Sequence, residues 1–128
     1  MKYSSILLLL CFAIFGFKPN YGLIGKWTLE RLETKTKTIF PNNPRHYHLT
    51  IMDSGFSYNL EVNDCVQGII SLNDTSISLY QYPACTKVCC DGRHDTIAKY
   101  INYSGTYTLH DSLLTITNDK GKFYLRRQ

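Results

Sequence analysis

Short runs of alternating apolar and polar residues recur along this chain, and they constrain its fold more than any other feature. Alternation with a period of two places one set of side chains on each face of a β-strand. The runs are found at 27–32, 46–53, 56–62, 77–80, 106–109, 114–117 and 123–126. The first run is predicted to place Trp27, Leu29 and Arg31 on one face and Thr28, Glu30 and Leu32 on the other.

Turn-forming residues separate these runs. Asp, Asn, Ser and Gly cluster at 53–55, 73–74, 110–112 and 118–121, where they can supply left-handed or side-chain-capped turns. With residues 66–72 added as a further run, the sequence predicts a mainly β fold, a small antiparallel β-barrel of about eight strands. Residues 34–45, which contain Pro41 and Pro44, are expected to form a mobile loop.

One segment departs from the alternation. Asp95 is a candidate N-cap, and Ile97 and Ile101 follow at the spacing of one helical face. The sequence therefore predicts one short helix near 95–103, closing an end of the barrel.

Residues 1–22 have the pattern of an export signal. Lys2 gives a positive start, 6–17 is almost wholly apolar, and 18–22 turns polar. The apolar core spans about a dozen residues, which fits a signal peptide and falls short of a membrane span. We expect cleavage to leave residues 23–128 as a single domain without a membrane span. That domain is expected in the periplasm, the cell envelope or the medium.

The leader has two alternative interpretations. A retained membrane anchor is the first. Lipid modification of Cys11 is the second, and it is disfavoured because Leu10 precedes Cys11 inside the apolar run.

The charge of the mature domain is small. The full chain has a formal net charge of +4, and residues 1–22 hold Lys2 and Lys18 but no acid, which leaves about +2. Nucleic-acid binding normally requires a clustered basic face, so no nucleic-acid partner is expected. Arg126 and Arg127 are interpreted as a solvated strand end.

Four cysteines remain after the leader: Cys65, Cys85, Cys89 and Cys90. An even number in an exported chain predicts two disulfides. Adjacent cysteines seldom bond to each other. The favoured pairing therefore joins one of Cys89 and Cys90 to Cys65 and the other to Cys85, although sequence alone leaves three connectivities open.

Metal binding and catalysis are the competing interpretations of the cysteine-rich segment. Cys85, Cys89, Cys90 and His94 lie within ten residues, but structural zinc sites usually pair cysteines two or four residues apart across a longer loop. A thiol nucleophile needs a free thiolate, which a disulfide removes. No catalytic motif is found, and we expect no enzyme activity, no metal and no cofactor.

An ordered set of segments resembles the META-domain (HslJ-like) family of small exported or envelope proteins. The segments are LIGKWTL at 23–29, NDCVQG at 63–68, TKVCC at 86–90, and the closing strands at 107–109, 113–116 and 123–125. The resemblance implies a compact β-barrel-like domain with a stress-related or envelope role and no catalytic residues. Cys65 follows Asn63, whereas the family often has a cysteine before the asparagine, so a disulfide scheme does not transfer. The opening Gly-x-Trp is also similar to lipocalin-like barrels.

Candidate binding residues come from aromatic and charged positions. A possible interaction surface comprises Tyr80, Tyr82, Lys87, Asp91 and Arg93, and further tyrosines at 100, 103 and 107 could extend it. His46 and His48 are predicted on one face of a strand, about 7 Å apart. Two imidazoles at this spacing can chelate a metal. Neighbouring side chains on any solvated strand face have the same spacing, and we favour this second interpretation. Trp27 is expected in the core.

Three function classes remain. The first is a non-enzymatic, monomeric exported domain that binds a protein or envelope partner. The second is an inhibitor of a secreted hydrolase, acting through a disulfide-bonded loop at 84–95. The third is a lipocalin-like small-ligand binder, which needs a hollow barrel.

Overall fold

The computed structural model describes residues 22–53, 55–60, 63–67, 70–79, 84–86 and 96–128. These residues form eleven β-strands and two single-turn 3-10 helices, one at Pro44–His46 and one at Ala98–Tyr100. The strands are β1 (Gly25–Glu33), β2 (Thr38–Ile39), β3 (His48–Met52), β4 (Gly55–Leu60), β5 (Asn63–Gln67), β6 (Ile70–Leu72), β7 (Ser76–Leu79), β8 (Ala84–Cys85), β9 (Gly105–His110), β10 (Leu113–Asn118) and β11 (Gly121–Arg127).

All strand pairs are antiparallel, and the sheet curls into a half-barrel. The strand order is β6-β7-β9-β10-β11-β1-β3-β4-β5-β8, with β2 added beside β1. β5 and β6 stand near opposite ends of this order, yet β5 ends at Gln67 and β6 begins at Ile70. Three residue steps span at most about 11 Å. The sheet must therefore curl until its two ends approach each other.

The curled sheet wraps one hydrophobic core, to which nearly every long strand contributes one face. The alternation predicted for β3, β10 and β11 is confirmed, because each buries every second residue. The buried strand residues include Trp27, Leu29, Leu32, Ile39, Leu49, Ile51, Phe56, Cys65, Ile77, Leu114, Ile116, Phe123 and Leu125. Trp27 is fully buried, as expected for a core residue.

Two tight hairpins at the C-terminal end of the chain follow the predicted turn chemistry. Asp111 adopts a left-handed conformation (φ 51°) between β9 and β10. In the β10–β11 turn, a side chain at Gly121 would place its Cβ 2.2 Å from the carbonyl oxygen of Glu33. Glycine at this position therefore allows the β10–β11 turn to lie directly against the end of β1.

The prediction for the faces of β1 was wrong in its second half. Leu29 pairs with Leu125, but the next pair joins Arg31 to Tyr124, so the register shifts between Leu29 and Arg31. This β-bulge inserts an extra residue and reverses the alternation. Leu32 consequently lies in the core with Trp27 and Leu29, and Arg31 lies on the outer face.

The predicted mainly β antiparallel fold is confirmed, with differences in detail. The sequence predicted about eight strands, and the eleven observed include the very short β2, β6 and β8. Residues 66–72, predicted as one strand, divide between β5 and β6. Residues 34–45, predicted as a mobile loop, contain β2 and the first 3-10 turn, which Asn43 caps by accepting a hydrogen bond from Arg45 N.

The helix predicted near 95–103 is a single 3-10 turn at Ala98–Tyr100 without a side-chain cap. The candidate cap Asp95 lies outside the described residues. Ile97 is buried in the core, and Ile101 is partly buried against it, so the predicted apolar pair does face the core. The core contacts of these two isoleucines hold the segment in place without a longer helix.

Candidate functional site

A disulfide joins Cys65 of β5 to Cys85 of β8, with 4.0 Å between their Cα atoms. The two residues stand opposite each other in the antiparallel pairing of these strands. The favoured pairing of Cys65 and Cys85 with Cys89 and Cys90 was therefore wrong. Strand register decides this pairing, because it brings together two cysteines that are twenty residues apart in sequence.

Thr86 strengthens the same attachment. Its backbone N–H donates to Asp64 O at 2.9 Å, and its Oγ1 accepts from Asp64 N at 3.0 Å. Its Oγ1 also lies 3.4 Å from Asn63 Oδ1. The disulfide and these hydrogen bonds fix residues 84–86 against β5.

The predicted interaction surface has residues on both sides of this attachment in the sequence. Its residues Tyr80, Tyr82, Lys87, Asp91 and Arg93 lie outside the described residues. So do Cys89, Cys90 and His94. Of the cysteine-rich segment, the structure therefore places only the start, at Ala84–Thr86, on the edge of the sheet.

The two histidines do not share a strand face as predicted. His46 ends the 3-10 turn that precedes β3, where its Nε2 lies 3.3 Å from the Asn43 amide nitrogen. His48 begins β3, and its Nδ1 contacts Thr28 Oγ1 at 3.3 Å and accepts from Gln128 Nε2 at 3.2 Å. Burial, with a smaller effect of Lys26, lowers the pKa of His48. His48 thus links Thr28 of β1 to Gln128 at the C-terminus.

No group of three His, Cys, Asp or Glu side chains suited to a metal ion is found among the described residues. No helix in that part of the chain is long and apolar enough to cross a membrane.

The tyrosines at 100, 103 and 107 are mostly structural. Tyr103 is 1% exposed and forms edge-to-face contacts with Tyr58 and Phe123, at 5.8 and 5.6 Å between ring centroids. Tyr107 is half-buried and donates its hydroxyl to Asn73 O at 2.9 Å. Tyr103 therefore belongs to the core and does not extend the interaction surface.

The hydroxyl of Tyr103 is buried without a hydrogen-bond partner among the described residues. Burial raises the pKa of Tyr103, and it also raises that of the half-buried Tyr58 beside it. Together with Phe56 and Phe123, these rings fill the interior of the curled sheet. The interior here is packed with aromatic side chains.

Arg127 has a structural role instead of lying in solvent. Its guanidinium lies 4.2 Å from the centroid of the Trp27 ring and donates to Ile24 O at 2.9 Å and to Gly22 O. Arg126 instead forms an ion pair with Glu30 on the outside. An open depression of about 440 Å³ lies beside them, lined by Thr28, Leu29, Glu30, Pro44, Arg126 and Arg127.

An ordered polar cluster covers the outer face of β1 and β11 beyond the bulge. The Arg31 guanidinium lies 3.7 Å above the centroid of Tyr124 and 3.2 Å from Glu33 Oε1. The hydroxyl of Tyr124 donates to Glu33 Oε2 at 2.8 Å. Tyr124, followed by Arg31, lowers the pKa of the Glu33 carboxyl, and the same hydrogen bond raises the pKa of Tyr124.

One surface at the end of β1 was not predicted from the sequence. The β1–β2 and β10–β11 turns meet there, since Glu33 pairs with Thr38 on one side and Lys122 on the other. We call the lysines of this end the lysine rim: Lys35, Lys37, Lys120 and Lys122. Phe40, directly after β2, is 64% exposed beside it. The KTKTIFP segment at 35–41 was the available signal, but it was interpreted as a mobile loop.

Compared with known proteins, the chain matches no protein-family model, no curated protein and no solved structure.

Proposed function

We propose that this protein is a non-enzymatic, exported β-barrel domain of the META-like kind that binds an envelope partner through its outer surface. The observation on which the proposal chiefly rests is the Cys65–Cys85 disulfide between β5 and β8. Disulfides form and persist in oxidising compartments outside the cytoplasm. The bond is thus consistent with export, as is the leader-like sequence at 1–22.

The packed interior favours binding at the surface over binding in a cavity. Trp27, Phe56, Tyr103 and Phe123 are all fully buried in one cluster. A lipocalin-like binder needs a hollow barrel large enough for its ligand. Side chains of the described strands occupy this part of the interior, which weighs against the small-ligand alternative.

Three titratable groups of the described strands also have structural partners. Glu33 pairs with Arg31 and Tyr124, Glu30 pairs with Arg126, and His48 contacts Thr28 and Gln128. A general acid or base must be free to exchange a proton with a substrate. These pairings favour a binding role over acid–base catalysis on this face.

Export is tested by expressing the full chain in a bacterium and locating it by fractionation. The control is Leu8→Arg, which interrupts the apolar core of the leader. We expect the unmodified chain in the exported fraction without its leader and with Cys65 oxidised, and the variant inside the cell with Cys65 reduced. An unmodified chain that stays in the cytoplasm at full length would overturn the proposal.

Native mass spectrometry of the exported protein tests the mode of binding. A domain with a filled core is expected to give the mass of the polypeptide alone. A co-purified small molecule that leaves on unfolding would contradict surface binding and support the lipocalin-like alternative.

The inhibitor class remains a second candidate because Ala84–Thr86 is firmly attached to β5. An inhibitory loop needs a rigid base, since ordering a loop on binding reduces affinity. The test is dose-dependent inhibition across a panel of peptidases and lysozymes. Absence of any effect at micromolar protein would exclude this candidate for that panel.

A further inference from the structure

Phe40 is held out from the surface by its neighbours. Ile39, the residue before it, pairs with Leu32 and is buried in the core, and Pro41, the residue after it, is also buried. The two buried residues fix the chain, whereas the Phe40 ring between them is 64% exposed. Exposing a phenyl ring forgoes the free energy of its burial. A ring presented in this fixed way is suited to insertion into another apolar phase.

The charge around Phe40 is positive. The lysine rim and Arg31 provide five cations at this end of the sheet, against the two acids Glu33 and Asp119. Glu33 is paired with Arg31, and Asp119 lies 3.4 Å from Lys120. Among the described acidic side chains, none forms an ion pair with Lys35, Lys37 or Lys122. The end of the barrel therefore carries a net positive charge beside an exposed aromatic ring.

Whether the cations are lysines or arginines distinguishes between two anionic partners, a lipid surface and an acidic protein. Acidic proteins are commonly bound by arginine, whose planar fork matches a carboxylate. The arginine at this end, Arg31, is already engaged by Glu33 and Tyr124. Lysines are flexible point charges that suit the diffuse negative potential of a lipid surface, and an aromatic ring anchors at the headgroup boundary.

We propose that the lysine rim and Phe40 form a peripheral binding site for an anionic lipid surface, with the Phe40 ring inserted and the lysines over the headgroups. This inference deepens the proposed function, on which it rests, by naming the envelope partner as a lipid surface. Binding is expected to weaken as salt is raised, because exposed charges are screened.

The test is co-sedimentation of the purified protein with vesicles of phosphatidylcholine, with and without phosphatidylglycerol. We expect binding to the anionic vesicles only. Lys35→Gln and Lys37→Gln are expected to weaken it roughly fivefold each. Phe40→Ala is expected to weaken it roughly tenfold, at unchanged charge.

Matched controls come from the other end of β1, about 26 Å away. Lys26→Gln removes the same charge, and Met52→Ala removes another exposed apolar side chain, 40% exposed. Both controls should bind like the unmodified protein. Equal losses in the rim variants and the controls would overturn the proposal, because they would indicate a general charge effect.

Soluble polyglutamate separates the lipid surface from an acidic polypeptide. Binding to polyglutamate as tight as to vesicles, and insensitive to Phe40→Ala, would overturn the proposal in favour of a protein partner. The assay uses purified protein from whichever fraction contains it. Failure of export would therefore contradict the proposed function. Failure to bind anionic vesicles would contradict only the inference of a lipid surface.

Discussion

At the scale of single residues, several side chains have roles that their sequence neighbourhood does not reveal. Tyr103 and Tyr107 are four residues apart in a tyrosine-rich stretch, yet one is a core residue and the other bonds to a loop carbonyl. Arg127, at the end of the chain, covers the buried Trp27 ring. Each of these roles depends on a partner that is distant in sequence, and each can be tested by substitution.

Tyr103→Phe is expected to stabilise the protein by about 1 kcal/mol, because it removes a buried hydroxyl without a partner among the described residues. The matched control is Tyr107→Phe, which removes a hydroxyl bonded to Asn73 O and should destabilise by about 1 kcal/mol. Urea unfolding midpoints measure both. A clear loss of stability in Tyr103→Phe would show that its hydroxyl has a partner in the folded protein.

The second prediction concerns the Glu33 carboxyl and the pH dependence of the free energy of unfolding. Its pKa is lowered in the folded state by the hydroxyl of Tyr124 and by Arg31. Its contribution is therefore present above the unfolded pKa of about 4.3 and is lost as the pH falls through the folded pKa.

Urea midpoints at about pH 6 and about pH 3 test this linkage. Glu33→Gln should lose less stability between the two values than the unmodified protein, and Tyr124→Phe should show an intermediate loss. The same pH dependence in all three proteins would contradict the assigned interaction.

At the scale of the elements, the β-bulge in β1 is the clearest departure from local pattern. It turns Leu32 inward and Arg31 outward, contrary to strict alternation. Sequence periodicity assumes an unbroken strand, and only pairing with β11 shows where the register shifts. The bulge also places Arg31 over Tyr124, which forms the polar cluster on the outer face.

Leu32→Ala is expected to destabilise the protein by about 2–5 kcal/mol, the usual cost of truncating a fully buried leucine. Arg31→Ala, at the adjacent outer position, should cost about 1 kcal/mol or less. Denaturant unfolding of the two variants gives the comparison. A larger loss for Arg31→Ala than for Leu32→Ala would contradict the bulge.

The disulfide between β5 and β8 is the second feature at this scale. Cys65→Ala combined with Cys85→Ala is expected to lower the free energy of unfolding by roughly 2–4 kcal/mol. Cys89→Ala combined with Cys90→Ala is the control and should leave most of the stability in place. The reverse order of losses would show that Cys89 and Cys90 form the stabilising bond.

Much of the architecture could be predicted from sequence because it depends on local pattern. Alternation identified the strands and core faces of β3, β10 and β11, and turn chemistry located the hairpins around Asp111 and Gly121. The short strands β2 and β8 were missed, because two residues carry no periodicity, and β6 was predicted only as part of one longer strand at 66–72. The Cys65–Cys85 pairing and the burial of Tyr103 depend on long-range register, which no local pattern contains.

At the scale of the whole molecule, the curled sheet divides the protein into a packed interior and two differently charged ends. The end at Glu33 has the lysine rim and Phe40, whereas the end at Gly25 has Lys26, the Arg127–Trp27 contact and the acidic turn residues Asp53 and Asp111. The proposed surface binding and the proposed lipid site rest on these two features, the aromatic packing of the described interior and the unequal charge of the two ends.

The most direct test is peptide mapping by mass spectrometry of the protein recovered from its own compartment, alkylated before reduction. We expect a Cys65–Cys85 linked peptide and an N-terminus after the apolar core of the leader, between residues 17 and 23. An alkylated Cys65, or a retained leader, would contradict the claim that this chain is an exported, disulfide-bonded β domain.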